Sequence, residues 1–423
     1  NMLSHVKHAE RPGKEVYKCR AVVRGDDVKV MRTGQKAKMP EGIEVGKVAA
    51  LEEVRAVKAY ATISGHATEA VDLESAYFAA KFEVPGKPHI KLNHYLRLPY
   101  DIWRHLPKEY HPPMWMRKPV WRMQRAGYGH ELSGHIFIML LKQWLLRQGF
   151  RKLDGTASLY ARGSIMLAVY VDDLLAAGSR EDLDAFWSSL GAAFTFKAEP
   201  AEATEFLGID FSRVDTETHY ENRLSMSAYI LDTCREYEKL WDTKIRPSRT
   251  PGTECIRTHD KSKSQPCKTE RKLVALQSIV GRLLWICRTA RPDMSHMASA
   301  FGARVLTWDL AVDRELGKTM GYLLLSHDAA LVFRWPKDRE SLDPGQVHNT
   351  IYTDADWMEP RSQSGVIAMF QTGSDEDAPR GSLPIHWGSK KQPLASDSST
   401  SAEIIACHYG LREAHPVMLA LTD

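Results

Sequence analysis

The sequence predicts an α/β (α+β) protein with two or three separate cores, and three observations favour that fold class. At 423 residues, the chain is long enough for two or three domains of roughly 100 to 200 residues each. Apolar runs of strand length flank Asp172 and Asp173, whereas a later stretch repeats leucine and isoleucine at helical spacing. Two polar, proline-rich stretches, 244–272 and 336–350, separate such patterns. We therefore divide the chain into regions 1–245, 246–345 and 346–423.

The first region is expected to contain a strand and a β-hairpin. Residues Ala70–Phe78 alternate in the way that is typical of a strand, with Asp72 among them. The segment Ile165–Ala177, IMLAVYVDDLLAA, consists of two apolar runs that meet at two aspartates. It predicts a hairpin with Val171, Asp172 and Asp173 at or near its tip.

The other two regions differ from each other in their periodicity. In region 246–345, apolar residues of Leu273–Leu284 and Met320–Leu324 recur at helical spacing, so this region is expected to be helical. Region 346–423 is expected to begin with strands at Ile351–Thr353 and Val366–Phe370 and to end in a helix near Ser401–Ala414.

The composition argues against several classes of protein. The chain has 57 basic and 53 acidic residues and is 43% hydrophobic, as a soluble globular protein is. No apolar run approaches the ~18 residues that a membrane span needs, and the first residues lack the apolar centre of a secretory signal. Cysteines without a CxxC pair argue against a zinc site and a disulfide framework. We expect an intracellular protein, neither secreted nor in a membrane, whose translation begins before Asn1.

Charge is distributed unevenly along the chain. Gly86–Lys152 contains 13 basic and 3 acidic residues with four interleaved tryptophans, and Leu153–Leu240 contains 7 basic and 16 acidic residues. A basic, aromatic-rich stretch beside an acidic one fits an enzyme that binds a phosphate backbone on one face and divalent cations on another. The alternative is two solvated surfaces of opposite sign.

The adjacent aspartates in the expected hairpin require a compensating partner. Asp172 and Asp173 repel each other, and their apolar surroundings make an uncompensated pair costly. A divalent metal bound through oxygen would compensate, and Asp72 would supply a further carboxylate from a separate strand. The alternatives are an acidic hairpin turn for the pair and a helix cap or solvated side chain for Asp72.

These residues resemble the motifs of copia-type retrotransposon Pol polyproteins, in which a reverse transcriptase precedes a ribonuclease H. Asp72 followed by Tyr77, and Tyr170–Asp173 (YVDD), are similar to the palm motifs of the reverse transcriptase. Further similar segments occur in the same order along almost the whole chain: Tyr17–Gly25, Tyr95–Pro99, Val120–Gly129, Phe206–Ile209, Ser225–Ile230, Val280–Trp285, Thr289–Asp293, Tyr352–Trp357, Ser364–Gly365, Trp387–Gln392 and Ser398–Glu403. A lone YVDD would be a weak signal, but this series is a specific one.

The resemblance implies a domain order and an activity. Region 1–245 would be the fingers and palm of a reverse transcriptase, 246–345 a thumb- or connection-like helical region, and 346–423 a C-terminally truncated ribonuclease H-like domain. The implied activity is RNA-directed DNA polymerisation on an RNA or DNA template-primer with dNTPs. The implied partners include protease and integrase segments of the polyprotein, and the implied location is a cytoplasmic virus-like particle or the nucleus.

The resemblance also implies a set of catalytic residues. Asp72, Asp172 and Asp173 would be the catalytic carboxylates and would bind two Mg²⁺ ions, for which Mn²⁺ is an alternative. Asp354 and Glu403 would be the matching catalytic metal ligands of the ribonuclease H-like domain. Because a third confident carboxylate is missing there, that domain is expected to be inactive.

Substrate contacts are implied for a second set of residues. Tyr77 would exclude a ribose 2′-hydroxyl, although a core aromatic is the alternative. Lys18, Arg20 and Arg24 would pair with the triphosphate, and a solvated basic strand is the alternative. Ser133 and Gly134 would permit close approach of a nucleotide.

The chain also departs from the family pattern. His130–Ile136 differs from the family's LKQAPR-like segment, and residues 26–53 lack its expected motif. Two other functions therefore stay open. One is a catalytically silent relic that only binds nucleic acid, and the other is a metal-dependent nuclease that uses Asp354, Asp356 and Glu403.

Overall fold

A computed structural model describes residues 2–7, 16–37, 46–85, 92–113, 115–252, 256, 270–338, 344–357, 361–373 and 380–420. The strands are β1 (Met2–Lys7), β2 (Val16–Ala21), β3 (Ala67–Asp72), β4 (Tyr95–Leu96), β5 (Trp121–Arg122), β6 (Arg151–Lys152), β7 (Leu159–Arg162), β8 (Ile165–Tyr170), β9 (Asp173–Gly178), β10 (Ala201–Glu202), β11 (Glu205–Phe206), β12 (Ile209–Arg213), β13 (His219–Ser225), β14 (Leu331–Pro336), β15 (Val347–Ala355), β16 (Gln363–Thr372) and β17 (Gly381–Lys391). The α-helices are α1 (Leu51–Ser64), α2 (Ala76–Ala79), α3 (Tyr100–Trp103), α4 (Glu131–Arg147), α5 (Arg180–Ala193), α6 (Ser227–Trp241), α7 (Glu270–Thr289), α8 (Ser295–Arg304), α9 (Leu310–Leu325) and α10 (Ser399–Ala420).

The first core surrounds a six-stranded antiparallel sheet with the strand order β10-β3-β9-β8-β7-β6. Helix α1 packs on one face of this sheet, and α4 and α5 pack on the other. Because both faces are covered, the central strands are apolar on both sides, and Leu174–Ala177 of β9 is buried throughout. This explains the uninterrupted apolar runs around the two aspartates.

A second, seven-stranded antiparallel sheet has the order β11-β12-β13-β14-β17-β16-β15. Its strands come from all three predicted regions, since β13 pairs with β14 and β14 pairs with β17. Helix α1 contributes to the core between the two sheets. The backbone ladder therefore continues across both predicted boundaries, at 245–246 and 345–346, and the division into three domains stays a prediction.

Helix α1 is joined to the later part of the chain through a buried arginine. The side chain of Arg55 is 1% exposed. Its guanidinium donates to the carbonyl oxygen of Ile385 at 2.6 Å and to those of Arg288 and Thr289 at 2.8 and 3.3 Å. The same group lies 4.0 Å from the ring centre of Trp387, so it also makes a cation–π contact.

The remaining helices form a separate core and a cover for the second sheet. Apolar side chains of α6, α7, α8 and α9 pack together in one cluster. Helix α10 packs on β15 and β16. Within the described residues, no helix is both long and apolar enough to cross a membrane.

Several expectations about the fold are confirmed. The protein has the mixed α/β class, and the hairpin β8–β9 flanks Val171–Asp172. Region 246–345, expected to be helical, contains α7, α8 and α9 but also strand β14, so that expectation is met only in part. Strands β15 and β16 include the two apolar segments expected in the last region, and α10 includes the expected helix.

Candidate active site

Three aspartates meet at one end of the six-stranded sheet. Strands β3 and β9 pair antiparallel with Asp72 opposite Asp173. One step further, the backbone N–H of Leu73 donates to the carbonyl oxygen of Asp172 at 2.8 Å. Residues directly opposite in such a ladder have Cβ atoms about 4.5–5.5 Å apart. Asp72 and Asp173 are therefore near neighbours although a hundred residues separate them in sequence.

The turn that carries Asp172 has an unusual backbone conformation. Tyr170 and Asp173 close a two-residue turn, in which Val171 has a φ of 57°. A β-branched residue rarely adopts positive φ, but tight hairpin turns whose twist matches the strands require it. Strain of this kind persists where the surrounding structure holds it, and it is concentrated at functional sites.

A lysine lies on the other side of Asp72. The segment Thr195–Lys197 runs antiparallel to Asp72–Glu74, with Leu73 and Phe196 bridged. The N–H of Lys197 donates to the carbonyl oxygen of Asp72 at 2.9 Å, and Lys197 Nζ forms an ion pair with Asp72 Oδ2. Asp72 thus lies in a row between a carboxylate, Asp173, and an ammonium group.

The donor groups at this end of the sheet suit a divalent cation in kind. Carboxylate oxygens are the preferred protein ligands of Mg²⁺. The ammonium group on Asp72 is a stand-in cation, which shows that this oxygen accepts positive charge. Among the described residues, however, no three His, Cys, Asp or Glu side chains are arranged to hold one metal ion.

Tyr77 lies on the short helix α2, immediately after the aspartate of β3. Its ring contacts those of Tyr128 and Phe137, at centroid distances of 5.0 and 6.3 Å. A Cβ added to Gly134 on α4 would lie 3.6 Å from the Tyr77 hydroxyl, so the two residues face each other. Ser133 is buried, and its hydroxyl accepts a hydrogen bond from the backbone N–H of Gly127 at 2.9 Å.

The start of α4 is held by two histidines. His130 is the N-cap of α4, and its Nδ1 accepts from the N–H of Leu132 at 3.2 Å. His130 Nε2 lies 2.9 Å from His94 Nδ1, and both rings pack against Phe82. Burial and the neighbouring His94 lower the pKa of His130 to about 4. The capping histidine is therefore neutral at physiological pH.

The residues predicted to bind the triphosphate, Lys18, Arg20 and Arg24, precede α4 in the sequence. Backbone N–H groups of 22–25 donate to carbonyl oxygens of 128–129 at 2.8 and 3.1 Å, which brings the exposed Arg24 next to the loop that precedes α4. Lys18 and Arg20 lie on β2, whose backbone is described but whose side chains lie outside the described residues.

The basic, aromatic-rich stretch is divided between surface and core. Trp115 and Tyr100 are exposed, and Trp103 contacts Trp121 at a ring distance of 5.9 Å. Trp144 instead packs with aromatic residues of the core beneath α5. The exposed part also carries the side chains of Arg97, Arg104, Lys108, Arg117, Lys118 and Arg122. Cationic and aromatic groups are thus exposed side by side.

Carboxylates of the last region lie near the end of β15. Glu403 Oε1 on α10 accepts from the backbone N–H of Ala355 at 3.2 Å, next to Asp354. Asp354 and Asp356 line a cavity of about 500 Å³ that also borders His296 of α8. The structure therefore brings Asp354 and Glu403 to the same strand end.

Residues 4–240 match the family described as reverse transcriptase (RNA-dependent DNA polymerase). The chain belongs to this family. It is 28% identical over 301 residues to the putative transposon Ty5-1 protein of Saccharomyces cerevisiae, a match that covers 68% of this chain and 87% of the yeast protein. It is 29% identical over 301 residues to the retrovirus-related Pol polyprotein from transposon RE2 of Arabidopsis thaliana, which covers 67% of this chain and 18% of the polyprotein.

These matches confirm the resemblance to a retrotransposon Pol polyprotein with a reverse transcriptase. The chain spans less than a fifth of the Arabidopsis polyprotein. A telomerase structure from Candida albicans overlaps with a TM-score of 0.24 at 9% identity, over 64% of this chain and 54% of that one, which is too low to establish a shared fold.

Sequence reasoning did not single out a lysine beside Asp72 or the contact that an arginine makes near Tyr77. Lys197 was not singled out, although a lysine within an acidic stretch is a visible signal. Arg125 is one of the 13 basic residues counted in Gly86–Lys152. Its guanidinium donates to the carbonyl oxygen of Ala79 at 2.8 Å and so holds the end of α2. Neither long-range contact follows from local sequence.

Proposed function

We propose that this chain is the RNA-directed DNA polymerase of a copia-type retrotransposon, which adds deoxynucleotides to a primer 3′-end on an RNA or DNA template. The observation that carries this proposal is the cross-strand pair of Asp72 and Asp173, with Asp172 in the adjoining turn. Membership of the reverse transcriptase family supports the same reaction.

The three aspartates are proposed to hold two Mg²⁺ ions, for which Mn²⁺ can substitute. When bound, these ions would activate the primer hydroxyl and neutralise the triphosphate. The hairpin keeps Asp172 and Asp173 together, and the β3–β9 ladder keeps Asp72 beside them. The chain thus supplies oxygen ligands from rigid strand ends, and rigid support is what precise positioning needs.

Tyr77 is proposed to select deoxyribose. Its ring is held by Tyr128 and Phe137, so it has little freedom to withdraw from a bulkier sugar. Gly134 opposite its hydroxyl leaves room for a substrate. Ser133 is better explained as a support of this pocket, because its buried hydroxyl is occupied by a backbone N–H.

Nucleic acid is proposed to bind along the exposed part of the basic stretch, and the triphosphate near Arg24. Phosphates attract the arginines and lysines, and exposed aromatic rings give bases a stacking surface. A separate ribonuclease H-like site, incomplete and expected to be inactive, is proposed at Asp354 and Glu403, because the Glu403 carboxylate lies next to the strand end that carries Asp354.

Primer extension on poly(rA)/oligo(dT) with and without Mg²⁺ tests the polymerase proposal. Asp172→Asn should abolish extension while the protein still folds, because the side chain keeps its size and loses the charge that a metal ion would need. Asp154→Asn, on an exposed turn of the same acidic stretch, is the matched control and should keep the parent rate. Extension by Asp172→Asn at the parent rate would refute the assignment.

A further inference from the structure

Lys197 is held opposite Asp72 by the backbone rather than by a chance side-chain contact. The N–H of Lys197 and the carbonyl of Asp72 form one rung, and the N–H of Glu74 with the carbonyl of Thr195 forms another, at 2.9 and 2.8 Å. The bridge between Leu73 and Phe196 lies between them. The register of these segments therefore fixes the lysine beside this aspartate.

The charges around Lys197 explain how this lysine stabilises the site. Across the strands, the row reads Asp173, Asp72, Lys197, so Asp72 lies between a like charge and a cation. A carboxylate oxygen that is engaged by an ammonium group cannot at the same time bind a metal at ~2.0–2.1 Å without bringing two cations into contact. Lysine and metal are therefore alternatives at Oδ2 of Asp72, and a metal at the other oxygen would still be repelled by the nearby ammonium group.

The ion pair is also easily released. The side chain of Lys197 is 48% exposed and that of Asp72 is 30% exposed, so water can replace the contact. Exposed ion pairs are weak, and the lysine stem has four rotatable bonds. The lysine can therefore stabilise the carboxylates without metal and leave when metal arrives.

We propose that Lys197 is a resident counter-ion of the metal-free site, which competes with divalent metal for Asp72. This inference rests on the proposed function, since it takes Asp72 as a metal ligand. In this proposal, Lys197 stabilises the aspartates before metal binds, and it lowers their affinity for metal until substrate is present.

The test measures Mn²⁺ affinity of the whole chain by calorimetry, without nucleotide or template. Lys197→Met should bind Mn²⁺ about three- to fivefold more tightly than the parent, which is the upper part of the range expected for loss of an exposed ion pair. Lys197→Arg, which keeps the charge, should remain near the parent. Lys244→Met removes another exposed ion pair, with Glu238 on α6, and should leave Mn²⁺ affinity unchanged.

A double-mutant cycle separates competition at Asp72 from a general effect of charge. In the Asp72→Asn background, the effect of Lys197→Met should fall below about twofold, because the shared oxygen is gone. Unchanged or weaker binding by Lys197→Met overturns the proposal, as does equal tightening in both backgrounds. If Asp72→Asn itself does not weaken Mn²⁺ binding, Asp72 is no ligand, and the proposed metal site fails together with this inference.

Discussion

Arg55→Met should lower the free energy of unfolding by about 3–5 kcal/mol, the cost of breaking a buried, hydrogen-bonded charge. The substitution keeps an apolar stem of similar length but removes the guanidinium. Carbonyl oxygens of Ile385, Arg288 and Thr289 then lose their donor inside the core. Each buried group that is left without a partner costs about 1–3 kcal/mol. Because the surrounding structure can partly relax, we expect a total loss of free energy of unfolding near the lower end of the sum for the three carbonyl groups.

A carboxylate is affected as well. Arg55 Nη2 lies 3.3 Å from Glu52 Oε1, and His386 lies 3.2 Å from the same oxygen. Burial alone would raise the pKa of Glu52, but the hydrogen bond from His386 and the charge of Arg55 outweigh it and lower the pKa to about 2. Without Arg55, this carboxylate keeps His386 and a backbone hydrogen bond but loses a positive charge, so the pKa of Glu52 should rise.

Urea unfolding followed by far-UV circular dichroism and tryptophan fluorescence measures the effect, since Trp387 lies against Arg55. Arg235→Met is the matched control. Its guanidinium is half exposed and pairs with Asp232 at 3.4 Å, so the change should stay below about 0.5 kcal/mol. A loss below about 1 kcal/mol for Arg55→Met would refute the conclusion that Arg55 secures α1 to the second sheet.

Three further outcomes are expected. Tyr77→Val should admit ribonucleotides. Relief of a clash of ~3 kcal/mol should reduce the preference for dNTP over rNTP by about a hundredfold, as measured by single-nucleotide incorporation. Unchanged selectivity would mean that Tyr77 is only a core residue. If about five phosphates are neutralised, a plot of log K for template-primer binding against log[salt] should have a slope near −4. The double variant Arg122→Ala with Arg117→Ala should have a less steep slope. An unaltered slope would show that the basic stretch does not contact the nucleic acid. Because the pKa of His130 falls from 6.5 unfolded to about 4 folded, its contribution to stability should be complete above pH 6.5 and decrease by about 3 kcal/mol as the pH falls to 4. His130→Asn, which keeps a capping oxygen, should flatten this dependence in urea titrations, and a parallel curve would contradict it.

The hairpin that carries Asp172 and Asp173 could be predicted from sequence because its signal is local. Two apolar runs of strand length meet at Asp172 and Asp173, and this pattern predicts a turn between two buried strands. The row that includes Asp72 and Lys197 could not be predicted, since it depends on the register between segments 125 residues apart. Local patterns carry no information about such pairing.

The burial of polar and aromatic side chains was the second feature that could not be predicted from sequence. Arg55 stands in a helix among other charged residues and gives no sign that it is buried, because its partners are backbone carbonyls from distant segments. Trp144 was grouped with tryptophans of the basic stretch, but its position on α4 directs it into the core. Tertiary packing, which sequence periodicity does not contain, decides both cases.

The seven-stranded sheet also constrains the time course of synthesis. Strand β13 ends at Ser225 and pairs with β14, which begins at Leu331. At 5–20 residues per second, the partner emerges from the ribosome roughly 5–20 s after β13 is complete. During that interval one edge of β13 is open to other chains, and its charged residues Glu221 and Arg223 are the kind that discourage edge-to-edge pairing. Folding of the polymerase half should therefore be completed only late in translation, when β14 and then β17 close the ladder.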